Sequence, residues 1–419
     1  MPLINSTNSE PSPFSYLLKL PVIVAALGYM VDMYDLFLFN IVRVPSLKEL
    51  GLTKEELFTK GLYILDIQMA GMLIGGILWG IIGDKKGRRS VLFGSILMYS
   101  LANVANGFIT SFDQYVVLRF IAGVGLAGEL GAGITLVAEI LPKHVRGYGT
   151  TLVATVGVLG AILAFFIADT FSWRTSYFVG GGLGLLLLAM RVGVFESGMF
   201  LKIVKKDVQR GNFLMLFSSK KRFFKYISSI LIGTPIWFVS GVLIFFSPEF
   251  GHALGVTEPI VAGKAVMLAF AGQVFGDIVS GFLSQRWKSR KKGMLVFLVG
   301  SYSLMLVYLL TQTQSLTTFY IICACLGFFN GYWTLFVTIA AELFGSNLRA
   351  TVATTVPNFV RASVIPISGL FLFLKQSLGI TTSAVIVGSL VVGIALLFLW
   401  KLPETFSKDL DYEEEKYEL

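Results

Sequence analysis

Apolar residues along the chain collect into long runs, many of 18 or more, broken by short polar segments. A helix rising about 1.5 Å per residue needs roughly 20 residues to cross a hydrocarbon layer about 30 Å thick, so each run is long enough to span a bilayer. Reading the runs with their Gly, Pro and charged breakers predicts spans near 18–42, 61–82, 91–110, 114–138, 148–169, 175–195, 226–247, 262–284, 293–311, 317–340, 351–374 and 381–400. Met1 to Pro13 is polar and lacks the basic start, apolar stretch and cleavage site of a signal peptide, so the N-terminus is expected to be retained.

The charges supply the topology. Lys85, Lys86, Arg88 and Arg89, then Lys143 and Arg146, then Lys202 to Arg222, then Arg286 to Lys292, fall in alternate connections. The excess of basic residues in cytoplasmic loops puts these segments, and both termini, in the cytoplasm of a multi-pass plasma membrane protein, expected to be that of a bacterial inner membrane. The opposite connections hold only Arg43, Lys48, Lys54, Arg174 and Lys375, mixed with Glu49, Glu55 and Glu56. The longest cytoplasmic connection divides the spans equally, giving a first half at 1–195, a linker at 196–225, a second half at 226–401 and an acidic tail at 402–419. Three elements repeat in order about two hundred residues apart. Gly80 with Asp84 to Arg89 recurs as Gly281 with Gln285 to Lys291, Glu139 with Arg146 as Glu342 with Arg349, and Glu196-Ser197 as Glu404-Thr405. Duplication of a six-span unit is the expected origin, and the expected fold is an all-α membrane protein of two six-helix bundles related by pseudo-two-fold symmetry.

Composition removes several function classes. Only 14% of residues are charged and 55% are hydrophobic, against about 25% charged in a soluble protein. The net charge of +9 is dispersed among loops, which argues against nucleic acid. Cys323 and Cys325 are two apart in an apolar run and point to different sides of a helix, so no disulfide framework is expected. Gly263-Lys264 is followed by Ala265 and is not a phosphate loop, and His144 and His252 belong to no metal or nucleophile constellation. Neither catalysis, ATP hydrolysis nor a cofactor is expected.

Ionisable groups inside a bilayer cost about 3 kcal/mol or more and mark function by default. Asp32 and Asp35 are three apart on one face of span 1, and span 4 carries Arg119 and Glu129. Counting depth from the outer ends puts Arg119 level with Asp35 and Glu129 deeper, with Asp32. These four are the expected proton-coupling residues, Arg119 pairing with Asp35 when the acid is ionised; a static, fully paired network is the alternative. Arg361, deep in span 11, is the expected anion ligand, because a guanidinium matches carboxylate or phosphate oxygens in pairs; its alternative partner is Asp277. Asn358, Gln273, Asn330, Tyr332, Trp333, Trp237 and Tyr34 are expected around it. Lys264 is expected at the outer mouth of span 8, and Asp66 and Arg191 are ambiguous.

Gly80, Asp84, Lys85, Gly87, Arg88 and Arg89 resemble the loop 2–3 signature of the major facilitator superfamily. Glu139, Pro142, Arg146 and Gly147, and Pro403-Glu404-Thr405, resemble elements of its sugar-porter-like and organic-ion groups. Asp32-Met33-Tyr34-Asp35 is similar to the paired aspartates of its phosphate:proton and aromatic-acid:proton symporters, and Arg361 stands twelve residues after Arg349, as in organic ion transporters, although Arg349-Ala350-Thr351 departs in its middle residue. The resemblance implies alternating access, with Gly80, Asp84, Gly87, Arg88, Glu139, Arg146, Glu342 and Arg349 as a cytoplasmic conformational latch. The resulting expectation is a proton-coupled symporter of a small organic or inorganic anion, for which a monomer suffices. An exporter is the first alternative, disfavoured because Gly157 to Gly160 lacks a Gly-Pro element; a non-transporting sensor is the second.

Overall fold

The computed structural model describes residues 16–141, 145–191, 213–312 and 315–406. Among them the chain is helical, without strands. The first half comprises α1 (Leu20–Glu49), α2 (Lys54–Lys86), α3 (Arg88–Asn106), α4 (Phe112–Leu126), α5 (Glu129–Ile140), α6 (Arg146–Thr170) and α7 (Trp173–Met190). The second comprises α8 (Lys220–Leu231), α9 (Thr234–Phe238), α10 (Ser247–Ala253), α11 (Ala262–Arg286), α12 (Arg290–Leu310), α13 (Leu316–Asn330), α14 (Trp333–Glu342), α15 (Ser346–Ala362) and α16 (Val364–Lys401). Nine stretches of the described residues are long and apolar enough to cross a membrane. With α3, α7 and the division of the last stretch at Gly379, where φ is 75°, they account for the twelve predicted crossings.

Local chemistry sets the ends. Thr53 and Glu56 form a reciprocal capping box, Glu56 N donating to Thr53 Oγ1 and Thr53 N to Glu56 Oε2, so α2 starts seven residues before the apolar run that predicted it. Gly87, with φ 92°, joins α2 to α3 in a backbone conformation that side chains disfavour, which is the requirement behind the second glycine of the loop signature.

Four spans predicted as continuous are interrupted, span 11 by the single turn residue Ser363 between α15 and α16. Span 4 breaks at Ala127-Gly128, between α4 and α5, and span 10 at Gly331-Tyr332, between α13 and α14. Span 7 passes from α9 through a wide π-helical turn at Val239–Ile244 into α10. A helix break frees backbone groups that lipid cannot satisfy, so each must be buried in protein. Asn358 Nδ2 donates to the Ala127 carbonyl at 2.9 Å, Asp277 Oδ1 accepts from Thr334 N at 3.0 Å, and Asn330 Nδ2 donates to the Ile236 carbonyl at 3.1 Å. Asn358, Asp277 and Asn330 are therefore the polar residues that close the breaks in spans 4, 10 and 7.

The halves meet along α2 with α15 and α16, α6 with α11, α1 with α11, and α5 with α15. A small residue permits the approach at Gly76, where a β carbon would lie 2.9 Å from Asn358 Nδ2.

Candidate transport site

Between the halves lies a narrow cavity lined by Met33, Phe37, Val158, Ile236, Trp237, Ser240, Phe270, Gln273, Trp333 and Arg361. Its walls are aromatic. The rings of Phe37 and Trp237 are nearly parallel, 16° apart in plane and 6.5 Å between centroids, with Phe270 against Phe37 at 4.0 Å. Trp333 lies 5.5 Å from the Arg361 guanidinium.

Arg361 is 1% exposed, and its single hydrogen bond runs from Nη1 to Asn358 Oδ1 at 3.1 Å. Nε and Nη2 have no partner. Asp277, the acid that sequence spacing offered, is instead engaged by backbone and side-chain groups of α14 and by Gln273. Asp32 is fully buried, and neither of its carboxylate oxygens has a hydrogen-bond partner. Its strongest charge interaction is with Arg361, at a separation beyond ion pairing. Tyr29, one turn before Asp32 on the same face, is buried with its hydroxyl close to Trp333 and to both charges, yet without a hydrogen bond of normal geometry.

Asp35, Arg119, Glu129 and Arg191 are instead joined in ion pairs. Arg119 Nη1 and Nη2 both reach Asp35 Oδ1 at 3.2 Å, and Nη2 also donates to Asn103 Oδ1 at 2.6 Å. Tyr177 covers the guanidinium at 5.0 Å. This pair lies where the depth reckoning put it, but inside the first half and away from the cavity lining. Glu129 is paired as well. It is held by Arg191 through both guanidinium ends, Nη1 to Oε2 at 3.0 Å, and Arg191 Nη1 also donates to the Leu92 carbonyl. Gly28, four residues before Asp32, makes room for this pair, since a β carbon there would collide with both side chains.

Several expected lining residues are elsewhere. Tyr34 points between α1 and α7, its hydroxyl donating to the Ser176 carbonyl at 2.7 Å, because an isolated hydroxyl inside a bundle needs an acceptor and a backbone carbonyl supplies it. Asn330 is consumed by the wide turn of span 7, and Asn358 by Arg361, Thr354 and the break in span 4. Tyr332 is buried outside the lining. Trp237, Trp333 and Gln273 do line the cavity. Lys264 rests over the Tyr320 ring at 5.0 Å.

Of the latch residues, the side chains of Asp84, Arg88, Glu139, Arg146 and Arg349 lie outside the described residues, as does most of the linker. Glu342 binds within its own half, accepting from Arg290 at 3.1 Å and from Thr405 Oγ1 at 2.7 Å. Beside it Glu404 accepts from Ser289 Oγ and from the amides of Arg290, Thr405 and Phe406. Partial burial would raise the Glu404 carboxyl, but these donors outweigh it and hold it below its ordinary value. The three repeated sequence elements thus converge at one place in the second half.

At the end of the bundle that holds the α1–α2 connection, the halves are joined by contacts that sequence reasoning missed. Arg43, counted among loop charges, is completely buried; it donates to Glu249 at 2.8 Å across the interface and to the Leu57 carbonyl at 2.9 Å, under Phe246. Phe58 packs edge-on against Phe246 and tilted against Phe371.

The model of the major facilitator superfamily matches residues 25–369. The chain belongs to that superfamily. It is a multi-pass membrane protein and a secondary transporter. Among its relatives are the niacin transporter NiaP of Acinetobacter baylyi, 26% identical over 365 residues and covering 78% of this chain and 80% of that one. The benzoate transport protein of the same organism is 26% identical over 382 residues, covering 82% and 80%. A partially occluded, inward-open structure of the xylose transporter XylE from E. coli shares the fold with a TM-score of 0.73 at 18% identity, covering 94% of this chain and all of that one.

Proposed function

We propose that this transporter is a proton-coupled symporter of a small organic anion, with a flat, aromatic carboxylate as the solute class. The observation that carries the reading is the buried guanidinium of Arg361, which keeps two N–H-bearing nitrogens unspent beside the cavity and has no acid partner among the described residues. A carboxylate is the ligand whose two oxygens match such a donor pair. Phe37, Trp237, Phe270 and Trp333 offer faces on which a planar ring can stack. The names of the niacin and benzoate relatives are consistent with that shape and charge.

Asp32 supplies the coupling. In the empty site its charge is offset by Arg361. An anion that neutralises Arg361 leaves Asp32 facing net negative charge, and a proton on Asp32 relieves it. Anion and proton therefore favour each other's binding, and the loaded site is closer to neutral than either singly occupied form. Such a site crosses between two facing states most readily empty or doubly filled, which is symport by rocking of the halves. Asp35, with Oδ2 unpartnered, is a second place for a proton, one that releases Arg119 toward Asn103. Glu129, closed on Arg191, holds the scaffold.

The test is uptake into proteoliposomes of labelled benzoate and nicotinate, with a non-aromatic carboxylate and xylose alongside, under an imposed pH gradient. Aromatic carboxylate uptake that follows the gradient and loses on the order of 100-fold in affinity in Arg361→Ala is expected. Uptake of xylose that is unimpaired in Arg361→Ala would contradict it.

A further inference from the structure

Asp66 takes no part in the site above. It lies on α2, partly buried, in the outer half of the interface, and its one hydrogen bond crosses to the other half: Asp66 Oδ2 and Ser368 Oγ, on α16, are 2.7 Å apart. Ser368 Oγ is also 3.0 Å from the Ile365 carbonyl. A hydroxyl has one hydrogen to give. Were Asp66 ionised, its carboxylate and the Ile365 carbonyl would compete for that hydrogen, and one contact would join two oxygens with no proton between them. With Asp66 protonated, the acid O–H donates to Ser368 Oγ while the Ser368 hydroxyl donates to Ile365, and both contacts are hydrogen bonds. Asp66 Oδ1 is buried without any partner, which a neutral acid tolerates far better than a carboxylate.

Among the described residues, the charges nearest it in the fold are engaged elsewhere. Of the groups on elements packed against α2, Arg119 and Asp35 are paired with each other, Arg43 is paired with Glu249, Arg361 hydrogen-bonds Asn358, and Lys375 rests on the Phe58 ring. Lys60, on α2 itself, covers Phe112.

We propose that Asp66 is a proton-binding site distinct from the transport site, and that its protonation from the outer aqueous phase holds the outer face of the transporter shut. Opening the outer interface separates Asp66 from Ser368 and wets the carboxyl, which then ionises; closing it needs the proton back. External acid favours the closed outer face and external alkali the open one. The inference rests on the alternating access of the proposed function but not on the solute or on Asp32.

The experiment is a distance measurement by double electron–electron resonance on the full chain in lipid nanodiscs. Spin labels go at Lys54→Cys and Glu258→Cys, exposed outer positions on the two halves, with Cys323 and Cys325 replaced by alanine. No solute is added, so failure of the anion reading leaves the measurement intact. Raising pH from about 5.5 to about 8.5 is expected to increase the long-distance population on the order of threefold. In Asp66→Asn that population should stay low at both pH values, and Asp66→Glu should restore the response. A pH response that persists in Asp66→Asn, or none in the parent, overturns the proposal.

Discussion

Two buried clusters separated by a single turn of α1 use the same chemistry to opposite ends. Below Gly28, Arg191 grips Glu129 with both ends of its guanidinium and spends a further bond on a backbone carbonyl. At Asp32, one turn on, an equally buried carboxylate and the guanidinium of Arg361 face each other with most of their hydrogen-bonding groups unused. A buried ion pair with its partners satisfied is structure; a buried charge held without partners persists only because its surroundings are fixed by something else. The first cluster closes within one half. The second joins the two halves across a cavity, and nothing there is complete until something enters.

The contrast can be broken most forcefully through stability. Arg191→Leu leaves Glu129 buried and unpaired, and should cost about 3–5 kcal/mol, seen as a large fall in the thermal midpoint in detergent. Glu129→Leu combined with Arg191→Leu should recover most of that loss. Arg361→Ala removes a charge that makes no ion pair and one hydrogen bond, to Asn358, and should cost about 1 kcal/mol or less, seen as a small change in the midpoint, while abolishing high-affinity uptake. If Arg361→Ala destabilised as much as Arg191→Leu, the two clusters would be alike. A smaller effect sharpens the picture: Trp333→Leu should raise KM for an aromatic carboxylate roughly tenfold and leave the dependence of uptake on the pH gradient unchanged, because it removes a stacking face and no charge.

Much of the fold was legible, because crossing a bilayer demands long apolar runs and cytoplasmic loops carry the basic residues. The capping box at Thr53 extends α2 beyond its run, and the breaks in spans 4, 7 and 10 left no mark in hydropathy. They depend on Asn358, Asp277 and Asn330 arriving from other helices. The site was read in part. Equal depth sufficed to match Arg119 with Asp35, since both sit on spans of one half. Arg361 stood out as a guanidinium deep in span 11, although Asp277, the partner that sequence offered, is engaged elsewhere. Arg191 as the partner of Glu129 was not legible, for the two lie at unrelated positions on spans 4 and 6 and the packing of α1 and α3 against both brings them together. Tyr34 misled because its proximity to Asp35 in sequence says nothing of its face; Tyr29, at the helical spacing from Asp32, was the better signal. Arg43 looked like a loop charge because its partner, Glu249, lies in the other half.

Coupling requires that Arg361 and Asp32 fill together. Titration calorimetry of benzoate with the purified transporter at pH 7, in two buffers of different ionisation enthalpy, measures the protons taken up on binding. Uptake of about one proton per anion, lost in Asp32→Asn while binding itself survives, is the predicted result. Benzoate binding with no proton uptake in the parent, or with the same uptake in Asp32→Asn, would contradict it.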